Sequence, residues 1–260
     1  MSQRGLRDSR SVDLATVELD FAGFRELAQN PHLSLNEKIG FPDSYRAGYE
    51  AAIFADILAK LPALSDGRDK TVVDIGPGCA GLPRMLTELC GERGHRLVLV
   101  DSPEMLDLLP QGDGVIACPG LFPANAAQVA AAAANGVDVL LCYSVLHYIY
   151  VDSNLFDFID AVVDLLAPGG RALIGDIPNH SKRRRFFASE TGRRFHADFT
   201  GSSEPYEVKF NETVPGKIDD AVLTALVQRA QAAGCDAYLL PQDPGLPMAN
   251  RRDDLLIMRP

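Results

Sequence analysis

Eleven residues, Thr71-Val-Val-Asp-Ile-Gly-Pro-Gly-Cys-Ala-Gly81, constrain this chain more than any others. Val72 and Val73 begin a short apolar run that reads as a buried strand. Gly76, Gly78 and Gly81 follow at once in G-x-G-x-x-G spacing. Leu82, Met85, Leu86 and Leu89 then recur at helical spacing. The glycines therefore sit on a strand-to-helix turn. Without Cβ atoms they permit a tight turn and a close backbone approach to a ligand. The helix N-terminus that follows offers unpaired N–H groups. A glycine pattern in this context reads as a nucleotide-type site.

Asp74, two positions before the first glycine, narrows the ligand. Dinucleotide sites usually carry an apolar residue there, because their turn faces a pyrophosphate that a carboxylate would repel. A carboxylate suits a ligand with a cationic amino-acid end. S-adenosylmethionine (SAM) has an ammonium, a sulfonium and no phosphate. Asp74-Ile-Gly-Pro-Gly resembles the first motif of the class I SAM-dependent methyltransferases. The competing structural reading is a glycine turn with no ligand.

The bulk properties bound the rest. With 260 residues and 47 % apolar content the chain can bury a full core. Its formal net charge of −10 argues against broad binding to nucleic acid or an anionic membrane, though not against a local basic pocket. No apolar run approaches the roughly 20 residues of a membrane span, and the polar N-terminus lacks a signal-peptide core. The five cysteines are dispersed and form no C-x-x-C pair. They read as reduced core thiols of a cytoplasmic protein. No His/Asp/Glu cluster has metal-ligand spacing, so no metal is expected.

Residues 1–65 read as an N-terminal helical segment and 66–260 as the main domain. Gly40 and Pro42 break any helix. Asp43 or Ser44 can cap the next one, which runs through Tyr49, Ile53, Ile57 and Leu61. A second apolar strand, Arg96 to Val100, ends at Asp101, where a carboxylate can accept both ribose hydroxyls of an adenosine. Asp101 or Ser102 can equally cap a helix from Pro103 to Leu109. A third strand, Val115 to Cys118, precedes Pro119-Gly-Leu-Phe-Pro, where Phe122 can stack on a base or simply fill the core. The alanine-rich run 125–135 is a helix by propensity. The fourth strand, Val137 to Cys142, leads into Cys142-Tyr-Ser-Val-Leu-His-Tyr148. His147 can act as a general base, line the cofactor wall or cap the helix.

Leu155 to Leu166 is amphipathic and stops at Ala167-Pro-Gly-Gly170, before a fifth strand, 171–175. Asp176, Asn179 and His180 follow its C-terminal end, the side where open α/β sheets bind ligands. The run Lys182 to Arg185 places four cations in an acidic protein. It is either a solvated helix face or an anion site, since Arg forks match carboxylate and phosphate; with Ser181 as the cap, Lys182 and Arg185 share a face and Arg183 points elsewhere. Residues 201–214 are polar and irregular. A helix over 218–233 and strands 236–240 and 255–258 close the chain.

The glycine motif, Asp101 and Ala167-Pro-Gly-Gly170 lie in methyltransferase order over residues 71–176. The resemblance implies a Rossmann-like sheet of seven mostly parallel strands with an antiparallel C-terminal strand, helices on both faces and an N-terminal helical lid. It implies SAM as cofactor, held by Asp74, Gly76, Pro77, Gly78, Asp101 and Ser102, with Cys142, Tyr143 and Ser144 along its methionine end. Asn36, Lys38, Tyr45 and Arg46 are polar groups that such a lid offers to substrate. The missing Pro-Pro-aromatic motif after strand four argues against methylation of exocyclic base amines, and Val145-Leu-His147 resembles small-molecule methyltransferases of this fold. A methyl transfer to O or N of a small polar, anionic metabolite follows, with Asp176, His147 and His180 as candidate bases. Asn179, Lys182, Arg184 and Arg185, with Tyr45 and Arg46, are the candidate substrate contacts. An NAD(P)-dependent oxidoreductase, a different SAM-dependent transfer and a non-catalytic SAM-fold subunit stay open as alternatives. So does the oligomeric state, a homodimer included.

Overall fold

The computed structural model describes residues 18–42, 48–202, 204 and 206–260. Tyr45, Arg46 and both expected caps at Asp43 and Ser44 lie outside them. The described chain opens with helices α1 (Phe21–Gln29), α2 (Leu35–Lys38), α3 (Glu50–Lys60) and α4 (Ala63–Asp66). Strands and helices then alternate: β1 (Thr71–Ile75), α5 (Gly81–Arg93), β2 (Arg96–Asp101), α6 (Pro103–Leu106), β3 (Val115–Pro119), α7 (Ala126–Ala133) and β4 (Val137–Tyr143). Next come α8 (Leu146–Asp152), α9 (Leu155–Leu165), β5 (Leu166–Pro178), α10 (His180–Ala188), α11 (Glu190–Thr200), α12 (Asp220–Ala232), β6 (Asp236–Pro241) and β7 (Arg252–Met258).

The seven strands form one sheet in the order β3-β2-β1-β4-β5-β7-β6. β1 pairs in parallel with both β2 and β4. The strand order reverses between those two pairings, which opens a crevice at the C-terminal ends of the strands. β7 runs antiparallel to β5 and β6, as expected. Successive side chains of a strand face opposite sides, and here both sides are covered. Val73, Val98, Leu140 and Ile174 pack under α7, α8, α9 and α12. Val72, Leu97, Leu141 and Leu173 pack under α3, α4 and α5. All five cysteines are buried and unpaired. No helix among the described residues is long and apolar enough to cross a membrane.

Three local expectations are corrected and one helix is added. Residues 190–200, to which no element was assigned, form α11, capped by Ser189, whose hydroxyl accepts from the Gly192 amide. α10 is capped by Asn179 rather than Ser181: the Asn179 carbonyl accepts from the Lys182 amide at 3.1 Å. The helix after Asp101 ends at Leu106, short of Leu109. β5 spans Leu166–Pro178 and bulges between Ile174 and Ile177 where it pairs with β7. That bulge turns Asp176 out of the ladder.

Two devices seat the N-terminal helices. The buried Lys38 ammonium donates to the Ala28 carbonyl at the end of α1. Arg25 forks onto Glu104, tying α1 to α6.

Candidate active site

The strand-to-helix turn is built where the glycines place it. Gly76 and Gly78 have φ of 67° and 64°, the left-handed region in which a side chain is strained. A Cβ on Gly76 would lie 2.6 Å from Val145, and one on Gly78 2.6 Å from Ile39. The turn thus needs glycine both for its dihedrals and for the approach of α8 and of the N-terminal segment. The Gly78 amide donates to one Asp101 oxygen at 3.1 Å and the Ser102 amide to the other at 2.7 Å. Asp101 is thereby aimed at the turn.

A cavity opens above this turn. Phe21, Phe24, Ile39 and Phe41 close it from the N-terminal side, and Gly120, Leu121 and Phe122 from beyond β3. Among the described residues its charged lining is entirely acidic: Glu50, Asp74, Asp101 and Asp152, with no Lys or Arg. Asp74 is 3 % exposed, and among the described residues no group donates a hydrogen bond to its carboxylate. Burial, then the nearby Asp101, pushes its pKa up to about 8. Burial also raises Asp101, to about 6, against the two amides that lower it. Two desolvated carboxylates facing one cavity disfavour an anion there and favour a cation.

Pro77, Tyr143 and Ser144 line this cavity, whereas Cys142 packs into the core and Ser102 caps α6 at 1 % exposure. Phe122 serves both of its readings: it lines the cavity and packs edge-on against Phe158 in the core. Of the polar lid residues, Lys38 is spent on Ala28.

At the C-terminal edge of the sheet, Ser144 and Asp176 both adopt positive φ, 63° and 57°. Non-glycine residues held there concentrate at functional sites. The Ser144 hydroxyl donates to the Asp176 carboxylate. The Asp176 amide donates to Asp254 at 2.8 Å, and Arg252 donates to the Asp176 carbonyl at 2.9 Å. Asp254 is fully buried and accepts from Lys60 at 2.7 Å and Gln242 at 3.1 Å. A small cavity, the neck, is lined by Phe41, Tyr143, Asp176, Met248 and Arg252; it shares Phe41 and Tyr143 with the acidic cavity and Met248 and Arg252 with a second one.

Beyond the neck lies a second cavity, between α8, α10, α11 and the 216–218 segment. Tyr148 lines both cavities, with its ring 4.9 Å from Phe24 on one side and 4.0 Å from His147 on the other. His147 faces the second cavity, and its Nδ1 is buried without a hydrogen-bond partner. Burial, then Arg252, lowers its pKa to about 4, against the opposing pull of Asp176. The imidazole is therefore neutral at physiological pH. His180 lines the same cavity, and its pKa is lowered by burial, then by Arg184 and Arg183.

The basic run is divided by the helix. Lys182 pairs with Asp253 at 2.7 Å and donates to the Arg252 carbonyl. Arg184 donates to the Glu212 carbonyl and lies 3.8 Å from its carboxylate. Arg185 forks onto Asp220. Asn179, 2 % exposed, donates to Asp220 and Asp253, each at 2.8 Å. Arg183, counted in the basic run but not among the expected substrate contacts, faces the second cavity, with its guanidinium 5.7 Å above Phe187 and 5.5 Å above Tyr206. The signal for it was present: Arg183 and Phe187 are four apart and share a helix face.

No family model and no curated protein matches the chain. Solved structures do. The N-methyltransferase NodS from Bradyrhizobium japonicum WM9, in complex with S-adenosylhomocysteine, matches at 17 % identity and a TM-score of 0.53, over 92 % of this chain and 98 % of that one. The plantazolicin methyltransferase BpumL, in complex with a desmethylPZN analog and S-adenosylhomocysteine, matches at 11 % identity and 0.54, over 91 % and 95 %. At these identities the likeness is one of fold: the chain has the Rossmann-like fold of the class I SAM-dependent methyltransferases.

Proposed function

We propose that this protein is a SAM-dependent methyltransferase acting on an oxygen or nitrogen of a small, polar, anionic metabolite. The observation that carries the proposal is Asp74, a buried carboxyl group to which no described residue donates, facing a cavity whose charged lining among the described residues is wholly acidic. An ammonium and a sulfonium fit that lining. The pyrophosphate of NAD or NADP does not, because no described lining cation would offset its charge and the ionised acids would repel it. In this reading Asp74 receives the ammonium and Asp101 the ribose hydroxyls. Gly120 to Phe122 flank the adenine, and Tyr143 and Ser144 run along the methionine end. Bound there, SAM supplies a reactive methyl group on sulfur.

The chain then has to align a nucleophile and exclude water. The neck between the two cavities is where an acceptor atom meets the cofactor, and Phe41, Tyr143 and Tyr148 keep solvent from it. Asp176 in the neck and His147 beside it are the groups that can take an acceptor proton. Asp176 is held by Ser144 and Arg252, and His147 offers an unused ring nitrogen. His180 lines the second cavity as well. The buried unpaired thiols suit a reducing compartment, and we assign the protein to the cytoplasm.

Titration calorimetry with SAM, S-adenosylhomocysteine, NAD and NADP tests the cofactor. SAM and S-adenosylhomocysteine should bind and the dinucleotides should not. Binding of NAD without SAM would overturn the reading and return the chain to the oxidoreductase alternative.

A further inference from the structure

The second cavity differs from the rest of the molecule in sign. The chain carries a net charge of −10, yet among the described residues this cavity is lined by Arg183, Lys217, Arg251 and Arg252 and by no Asp or Glu. Acids elsewhere neutralise Lys182, Arg184 and Arg185. Among the described residues no carboxylate pairs with Arg183 or Lys217. Of the cations gathered here, Arg183 and Lys217 are the two for which the described residues supply no counterion.

The same cavity is walled by rings. Phe187 stacks on Tyr206 at 4.6 Å, and Phe195 lies parallel to Phe199 at 6.2 Å. The Arg251 guanidinium sits 5.6 Å above Phe195 and 5.7 Å above Phe187. Phe195 and Phe199 remain 39 % and 69 % exposed, an unfavourable state for two large rings unless something covers them. A guanidinium over a ring keeps its N–H groups at its own edges, where they can meet an anion, and Arg183 stands so over Phe187 and Tyr206. A third feature points the same way: the unpartnered Nδ1 of His147, buried at the inner end of the cavity beside the neck.

Building on the methyltransferase reading, we propose that the second cavity binds the methyl acceptor, and that the acceptor is a planar aromatic or heteroaromatic ring bearing a carboxylate or phosphate. The ring lies against Phe187, Phe195 and Phe199. The anion meets Arg183 and Lys217 at the outer side. The accepting hydroxyl or amine points inward, past His147 and Tyr148, to the neck. Arg183, rather than its paired neighbours in the basic run, is the anchoring cation.

The experiment is calorimetry on the full chain saturated with S-adenosylhomocysteine. The probes are a set of hydroxy- and aminobenzoates and the matching phenyl phosphates, together with hydroxybenzamide, which lacks the charge, and hydroxycyclohexanecarboxylate, which lacks the flat ring. The proposal expects at least one charged arene to bind, and both deficient analogues to bind at least roughly tenfold more weakly, as loss of a charged contact or of ring stacking implies. Arg183→Gln and Phe199→Ala, both at exposed positions, should each weaken the arene by roughly tenfold or more while S-adenosylhomocysteine affinity stays unchanged. Arg185→Ala should leave arene affinity as in the parent. Preference for the phosphate or the carboxylate series identifies the anion. If the chain binds S-adenosylhomocysteine but no charged arene, or binds the amide as well as the acid, the acceptor assignment is wrong and the cofactor reading stands. If S-adenosylhomocysteine itself fails to bind, the cofactor reading fails first.

Discussion

Asp74 holds the most informative charge in the molecule. It is buried, no described residue donates to it, and its pKa, pushed up to about 8, makes it mostly neutral in the free protein at physiological pH and ionised in the unfolded chain. Between about pH 4 and 8 the native state therefore binds more protons than the unfolded state, so this residue's contribution to stability falls as pH rises through that window. Asp74→Asn keeps the neutral form throughout. Its melting temperature should drop less than that of the parent between pH 5 and 8, which thermal melts in a pH series will show. A cationic ligand favours the ionised form, so SAM binding should expel a proton below pH 8 and tighten as pH approaches 8. Calorimetry in two buffers of different ionisation enthalpy measures that proton. Asp101→Ala should weaken SAM by about 1.5–3 kcal/mol for a charged hydrogen bond lost, and unchanged affinity would reduce Asp101 to a brace for Gly78 and Ser102. These residues were legible in the sequence because their placement is local. A strand, a glycine turn and a strand end put Asp74, Gly76, Gly78 and Asp101 together with no help from distant parts of the chain.

Among the elements, α10 shows where local reading stops. Which cation of Lys182 to Arg185 faces the cavity depends on the helix phase, and that phase is set by Asn179 at the cap and by acids far away in sequence, Asp220 and Asp253. No spacing rule within 179–188 carries that information. Asn179→Ala removes the cap and the shared donor of two carboxylates, and should cost about 2–3 kcal/mol in urea unfolding. Arg185→Ala, at an exposed pair, should cost about 0–1 kcal/mol. The strands were read well because parallel strands covered on both faces become continuous apolar runs. α11 was missed for the opposite reason. It packs on α10 and the second cavity rather than on the sheet, so only Phe195 and Phe199, four apart, mark it.

Across the whole molecule, Lys60 and Asp254 fasten the N-terminal helices to the far side of the sheet. α3 supplies Lys60, β7 supplies the fully buried Asp254, and Asp254 in turn holds the Asp176 amide at the bulge. Lys60→Ala leaves a buried carboxylate uncompensated and should cost about 3–5 kcal/mol in urea unfolding. The larger consequence comes from the ring of Tyr148, which stands between a chamber lined with acids and a chamber lined with cations. Two guests of opposite charge on either side of one side chain cannot be independent. Each lowers the electrostatic cost of the other, and linkage makes the benefit equal in both directions. Methyl transfer erases the sulfonium charge, so the reactant pair is held together more tightly than the product pair. On the proposed function the fold would act as a ratchet in charge: it would gather SAM and an anionic acceptor as a mutually attracted pair, and the reaction itself would loosen them. An arenecarboxylate lacking the accepting hydroxyl or amine should bind several-fold tighter beside SAM than beside S-adenosylhomocysteine, and the difference should shrink as salt is added.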